Sequence, residues 1–141
     1  MLKKTIIALL VIGVFVLVGC GTSDVEKADS IEDIVGTWQQ VGGTSEEYCQ
    51  YSDDGTAICA PTLDHIERNV GFISEYWFEG TQYFDRLGEG GGCTQVGVYE
   101  ISLQPNGNLK FELIEDNCAG RIFGTVGSDG DEGLIEWERV P

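Results

Sequence analysis

Five cysteines are the residues with the most chemistry to offer in this 141-residue chain. Cys20 stands apart: it ends Leu17-Val18-Gly19-Cys20, directly after the apolar run 6–18. Cys49, Cys59, Cys93 and Cys118 are spread through the remainder. Four cysteines permit three pairings. A structural metal site needs closely spaced pairs such as C-x-x-C, and the chain has none. Two turn signals choose among the pairings. With Ser52 opposite Thr56 around the loop Asp53-Asp54-Gly55, Cys49 falls opposite Cys59. With Asn106-Gly107 as a two-residue loop, position 118 falls opposite 95, two places from Cys93. The expected bonds are therefore Cys49–Cys59 and Cys93–Cys118, and bonds of this kind belong to oxidising compartments.

The other reactive side chains are less telling. His65 is the one histidine, beside Asp64 and Glu67 on a short turn, where it reads as a solvated surface residue. Nothing resembles a nucleophile elbow. Asp53-Asp54 or Glu115-Asp116 could serve glycoside hydrolysis as carboxylate pairs, but 24 acidic residues make such neighbours expected. Asp129, Asp131 and Glu132 hint at calcium, yet Leu134 stands where a helix–loop–helix calcium site needs glycine. A loosely held surface ion is the most they imply. Reactive thiols are disfavoured because four cysteines can all pair. No catalytic residue, cofactor or resident metal is expected; the chain reads as a non-enzyme.

Lys3 and Lys4 precede the apolar run, which is shorter than the roughly 20 residues needed to span a bilayer. This is the layout of a cleaved signal. The run Leu17-Val18-Gly19-Cys20 resembles the lipobox of bacterial lipoproteins. That resemblance implies cleavage before Cys20, a diacylglycerol thioether on its sulfur, and usually an amide-linked acyl chain such as palmitate. One acyl chain binds membranes only marginally, whereas two or three hold firmly. The implied organisation is a signal peptide over 1–19, a lipidated cysteine and flexible tether over 20–33, and one domain over 34–141. The protein would be membrane-anchored and extracytoplasmic, at an outer membrane or cell surface. Gly21 replaces the aspartate associated with inner-membrane retention, which permits the outer membrane. The whole chain carries a formal charge of −16, and loss of Lys3 and Lys4 makes it −18. Such a surface repels nucleic-acid phosphates and anionic headgroups. The lipid is thus the expected route to the membrane, and nucleic acid is not an expected partner.

Downstream of Ser30, which should cap a short helical turn, the pattern is of short strands. They fall at 34–41, 46–52, 56–60, 72–79, 81–87, 95–103, 109–115, 121–126 and 134–140. Thr62 should cap another helical turn, and 87–93 is a glycine-rich loop. Eight or nine strands joined by hairpin signals indicate an all-β antiparallel barrel or sandwich. Gly36-Thr37-Trp38, at the head of the first strand, resembles the Gly-x-Trp signature of lipocalins and the wider calycin group. Tyr76-Trp77-Phe78-Glu79-Gly80-Thr81-Gln82, Gly97-Val98-Tyr99-Glu100-Ile101, Ile114-Glu115-Asp116-Asn117-Cys118-Ala119-Gly120-Arg121 and Trp137-Glu138-Arg139-Val140 are similar to strand and turn motifs of a bacterial lipocalin-like group. The resemblance implies a small up-and-down β-barrel, with Trp38 plugging its closed end and Arg121 packed across the indole. The chain is shorter than a typical lipocalin and has no long flanking helix. An eight-stranded interior can be filled by side chains or hold one small ligand. The resemblance implies binding of a small, mostly apolar molecule by Tyr76, Phe78, Tyr83, Tyr99 and Phe111. The alternative is that these aromatics fill the core of a structural or protein-interaction lipoprotein.

Overall fold

A computed structural model describes residues 25–43, 46–127 and 135–141. The signal segment, Cys20 and the acidic loop with Asp129, Asp131, Glu132 and Leu134 lie outside the described residues.

The strands are β1 (Glu26–Lys27), β2 (Gly36–Val41), β3 (Tyr48–Tyr51), β4 (Thr56–Ala60), β5 (Phe72–Glu79), β6 (Gln82–Leu87), β7 (Gly97–Leu103), β8 (Leu109–Glu115) and β9 (Glu136–Arg139). From β2 to β9 each strand pairs antiparallel with the next, and β9 returns to β2. This closes an eight-stranded up-and-down barrel. β1 lies outside the ring, along β7. Closure removes the unpaired backbone row that an open sheet would present.

Hairpin chemistry sets the register. Gly55 takes φ +81° in the β3–β4 turn, and the Asp54 carboxylate accepts the Thr56 amide at 2.9 Å and its hydroxyl at 2.6 Å. Cys49 therefore sits directly opposite Cys59, and the two are bonded. The β7–β8 turn differs from the expected two-residue loop. Gln104 N–H donates to Asn108 C=O at 2.8 Å, so Pro105, Asn106 and Gly107 form a three-residue loop. Leu103 thus faces Leu109, one residue away from the expected register. A β-bulge between Val98 and Tyr99 restores that residue, and Val98 faces Glu115. Cys93 and Cys118 are bonded beyond this point.

The two ends of the barrel differ. One carries the turns at 52–55, 80–81 and 104–108, and helix α1 (Ile31–Ile34) lies there. The Asp33 carboxylate accepts from the backbone N–H groups of Asp29 and Ser30 at 3.0 and 3.2 Å, which fixes the start of this turn. Ile34 is fully buried, and Ile31 reaches toward Gly55 of the β3–β4 turn. Trp38 is 1% exposed, and its indole N–H donates to Ile34 C=O at 2.7 Å. This end is closed.

The cation over Trp38 is Arg139, not Arg121. Arg139 stands opposite Trp38 in the β2–β9 register, and its guanidinium carbon lies 4.5 Å from the ring centroid. Gly36 explains its own place in Gly36-Thr37-Trp38. It holds φ +136°, and a Cβ there would fall 2.8 Å from Arg139 Nη1. Arg121 is drawn to the other end of the barrel by acids described below. Arg139→Ala should destabilise the fold by about 0.5–1 kcal/mol, the value of an exposed cation–π contact. Urea unfolding measures this, and an unchanged midpoint would remove the contact from the account.

Two further expectations are corrected. The stretch before residue 33 is not wholly a flexible tether: Glu26 and Lys27 pair with Leu103 and Ser102. The next residue, Ala28, is 0% exposed and donates to Ile101 C=O at 2.9 Å. The expected strand at 121–126 is instead helix α3 (Ala119–Val126). Its apolar residues Ile122 and Val126 are four apart, a helical spacing, and both meet the main core. Helix α2 (Leu63–Glu67) follows expectation: the Thr62 side chain caps it, and Ile66 covers Ile58 and Ala60 on the outside of the barrel.

Candidate functional site at the barrel mouth

Opposite the closed end, the strands open between α3, the 88–96 loop and the start of β3. A cavity of about 340 Å³ lies there. Its apolar wall holds Phe72, Tyr83, Tyr99, Phe111, Phe123 and Trp137. Strand alternation turns Tyr83, Tyr99 and Phe111 inward, and edge-on contacts link Tyr83 to Phe111 and Phe111 to Trp137, with centroids 5.6 and 6.3 Å apart. Phe72 and Phe123 sit at the rim, 60% and 47% exposed. Both disulfides border the same space.

Of the five expected pocket aromatics, Tyr83, Tyr99 and Phe111 line the cavity. Tyr76 and Phe78 do not. They share the inward parity of β5 but lie further along it, toward the closed end. The Tyr76 hydroxyl donates to Ser52 C=O at 2.6 Å, and burial pushes its pKa up to about 12. Phe78 packs edge-on against Tyr83 at 5.6 Å. Position along the strand, which alternation does not encode, separates the two groups.

A buried polar cluster forms part of the cavity lining. Arg121, on α3, donates from Nε to Asp116 Oδ2 at 2.6 Å and from Nη2 to Asp116 Oδ1 at 2.7 Å. Its Nη2 also reaches Gln95 C=O at 2.9 Å, and Nη1 approaches Asp85 Oδ1 at 3.5 Å. The Tyr99 hydroxyl donates to Asp116 Oδ2, and Cys118 N–H to Asp116 Oδ1. Asp85 accepts the Ser74 hydroxyl at 2.9 Å and the Tyr83 hydroxyl at 3.1 Å. The backbone makes room at Gly97, where a Cβ would meet Asp116 Oδ2 at 2.5 Å.

The two carboxylates respond oppositely to this setting. Burial opposes the charge on Asp116, but the bonds from Arg121, Tyr99 and Cys118 outweigh it and hold its pKa below the usual range. Burial dominates at Asp85, where Ser74, Arg121 and Tyr83 only partly compensate, and its pKa is raised. Arg121 is desolvated too, but its bonds to Asp116 raise its pKa further above the usual range. Burial likewise pushes Tyr51, Tyr83 and Tyr99 upward. Glu47, just ahead of β3, also lines the cavity, and burial alone raises its pKa.

Sequence reasoning missed Asp85 and Glu47 as cavity groups and Asp116 as the partner of Arg121. A signal existed for Asp85: it shares inward parity with Tyr83 in Tyr83-Phe84-Asp85, and an inward acid in a strand needs partners. Asp116 and Glu47 lie outside regular strands and gave none. Arg121 belongs here and not over Trp38. His65 is on α2, its ring Nδ1 2.6 Å from the Thr62 hydroxyl, and it does not line the cavity.

The fold and the site define a small closed antiparallel barrel with an aromatic cavity and buried acids at its mouth. No protein-family model, curated protein or solved structure matches the chain.

Proposed function

We propose that the chain is an exported lipoprotein, anchored through acyl groups on Cys20, whose lipocalin-like barrel takes up a small, mostly apolar molecule at its mouth without transforming it. The aromatic cavity carries this reading. Its volume of about 340 Å³ is at the low end of ligand pockets, and mostly apolar walls with a few placed polar groups are what such pockets share. Exposed Phe72 and Phe123 at the rim extend an apolar path to solvent. The two disulfides suit the oxidising compartment that export would provide. The rival reading, a protein-interaction lipoprotein, draws on Leu113 and Ile114, which are exposed on β8.

Native mass spectrometry of the delipidated protein should find an apolar molecule retained, or one that binds on addition. Fatty acids, fatty alcohols, amines and hydrophobic dyes should be tried, with Trp137 in the cavity wall as the fluorescent reporter. Indifference of both readouts to all of them would end the proposal.

A further inference from the structure

We propose that the cavity prefers an organic cation: a small apolar amine whose body lies on the aromatic wall and whose ammonium group sits beside Glu47 and Asp85. This rests on the ligand-binding reading above and names the ligand's charge.

The balance of charge in the lining points this way. Among the described residues, Arg121 is the one cation that lines the cavity, and Glu47 and Asp85 are the acids that line it. Asp116 takes Arg121 in a two-point pair, with Tyr99 and Cys118 completing that carboxylate. Asp85 has only a 3.5 Å approach to the same guanidinium. Glu47 has no side-chain hydrogen bond or ion pair among the described residues. It is half-buried and lies beside α3, where a Cβ on Gly124 would fall 3.0 Å from its Oε2. The excess charge in the cavity is therefore negative. An entering carboxylate would find the Nε and Nη2 edge of Arg121 already held by Asp116, and on the Nη1 side it would face Asp85, with Glu47 a further acid in the lining. An entering ammonium would gain both acids and the π-faces of Tyr83, Tyr99, Phe111 or Trp137. Burial favours the protonated form of Glu47, and a neighbouring cation reverses that preference.

The test uses three probes with one skeleton: n-octylamine, n-octanol and octanoate. The described strands all lie within residues 26–139, so the chain from residue 20 onward, with Cys20→Ser to keep acyl groups off, contains every one of them. Calorimetric titration near neutral pH should give octylamine at least about tenfold tighter than octanol, from close charge pairing and cation–π contact together. Octanoate should bind more weakly than octanol. Glu47→Gln should lower the amine-to-alcohol ratio by roughly threefold or more, Asp85 and the aromatic faces retaining the rest, with near-ultraviolet circular dichroism confirming the fold. Octanoate binding as well as octylamine, or an unchanged ratio in Glu47→Gln, would overturn the cation while leaving the ligand site standing. Failure of all three probes to bind would remove the site itself and this inference with it.

Discussion

Arg121→Met should cost the fold about 3–5 kcal/mol near neutral pH, the penalty for breaking a buried ion pair from one side. The Asp116 side chain is 0% exposed and that of Arg121 5%. Methionine fills much of the arginine volume, so the loss is mainly of charge. Asp116 would be left with Tyr99 and a backbone N–H, and Asp85 with two hydroxyls. The pH dependence separates this from a packing defect. In the native chain the pKa of Asp116 is depressed, so its contribution is present above the unfolded pKa and lost as pH falls through the folded one. Asp85 has a raised pKa and acts in the opposite sense, its unfavourable charge relieved as pH falls. Without Arg121, burial pushes both acids up. The penalty should then be largest near pH 7 and shrink toward about pH 4, where protonation removes the unpaired charges. Urea midpoints of both proteins at the two pH values decide it. An equal penalty at both would mean that charge pairing is not what Arg121 supplies.

Removing the second disulfide, by Cys93→Ser with Cys118→Ser, should cost about 3–4 kcal/mol in the chain-entropy account. The bond closes a sequence separation of 25, against 10 for Cys49–Cys59. It also joins the 88–96 loop to the start of α3, so both sides of the mouth depend on it. The corresponding Cys49→Ser, Cys59→Ser variant should lose less, about 2–3 kcal/mol, because β3 and β4 are already held in register by their hairpin. Urea unfolding ranks the two pairs, and dye binding should fall further in the first. The reverse order would show that the mouth does not rely on its covalent link.

An antiparallel all-β fold is legible because each strand is short, alternates, and ends in a turn with its own chemistry, while the choice of a barrel over a sandwich rests on the resemblance at Gly36-Thr37-Trp38. Asp54 and Gly55 placed Cys49 opposite Cys59 without any tertiary information. A turn one residue shorter than the real one still predicts Cys93–Cys118, because the bulge at Val98 and Tyr99 makes up the difference. The sequence of helix α3 predicts a strand, because Ile122, Phe123, Thr125 and Val126 have strand propensity, and what overrides it is tertiary. Cys118 is tied to Cys93, and Arg121 folds back onto Asp116. The cation over Trp38 is Arg139 and not the expected Arg121, because the β2–β9 register, a pairing between the two ends of the domain, decides it. The cavity was half legible. Of the aromatics that the barrel reading offers, Tyr83, Tyr99 and Phe111 line the cavity, while distance from the mouth excludes Tyr76 and Phe78.

The position of β1 gives the molecule a polarity. Glu26 lies against Leu103, at the foot of the barrel beside the 104–108 turn, so the chain comes into the fold at its sealed base. Residues 21–25 span at most about 18 Å when fully stretched. With the proposed lipid on Cys20, the acyl groups would hold the protein by that base, close against the bilayer. The cavity would then face outward, and its ligand would arrive from the surrounding fluid instead of rising out of the lipid.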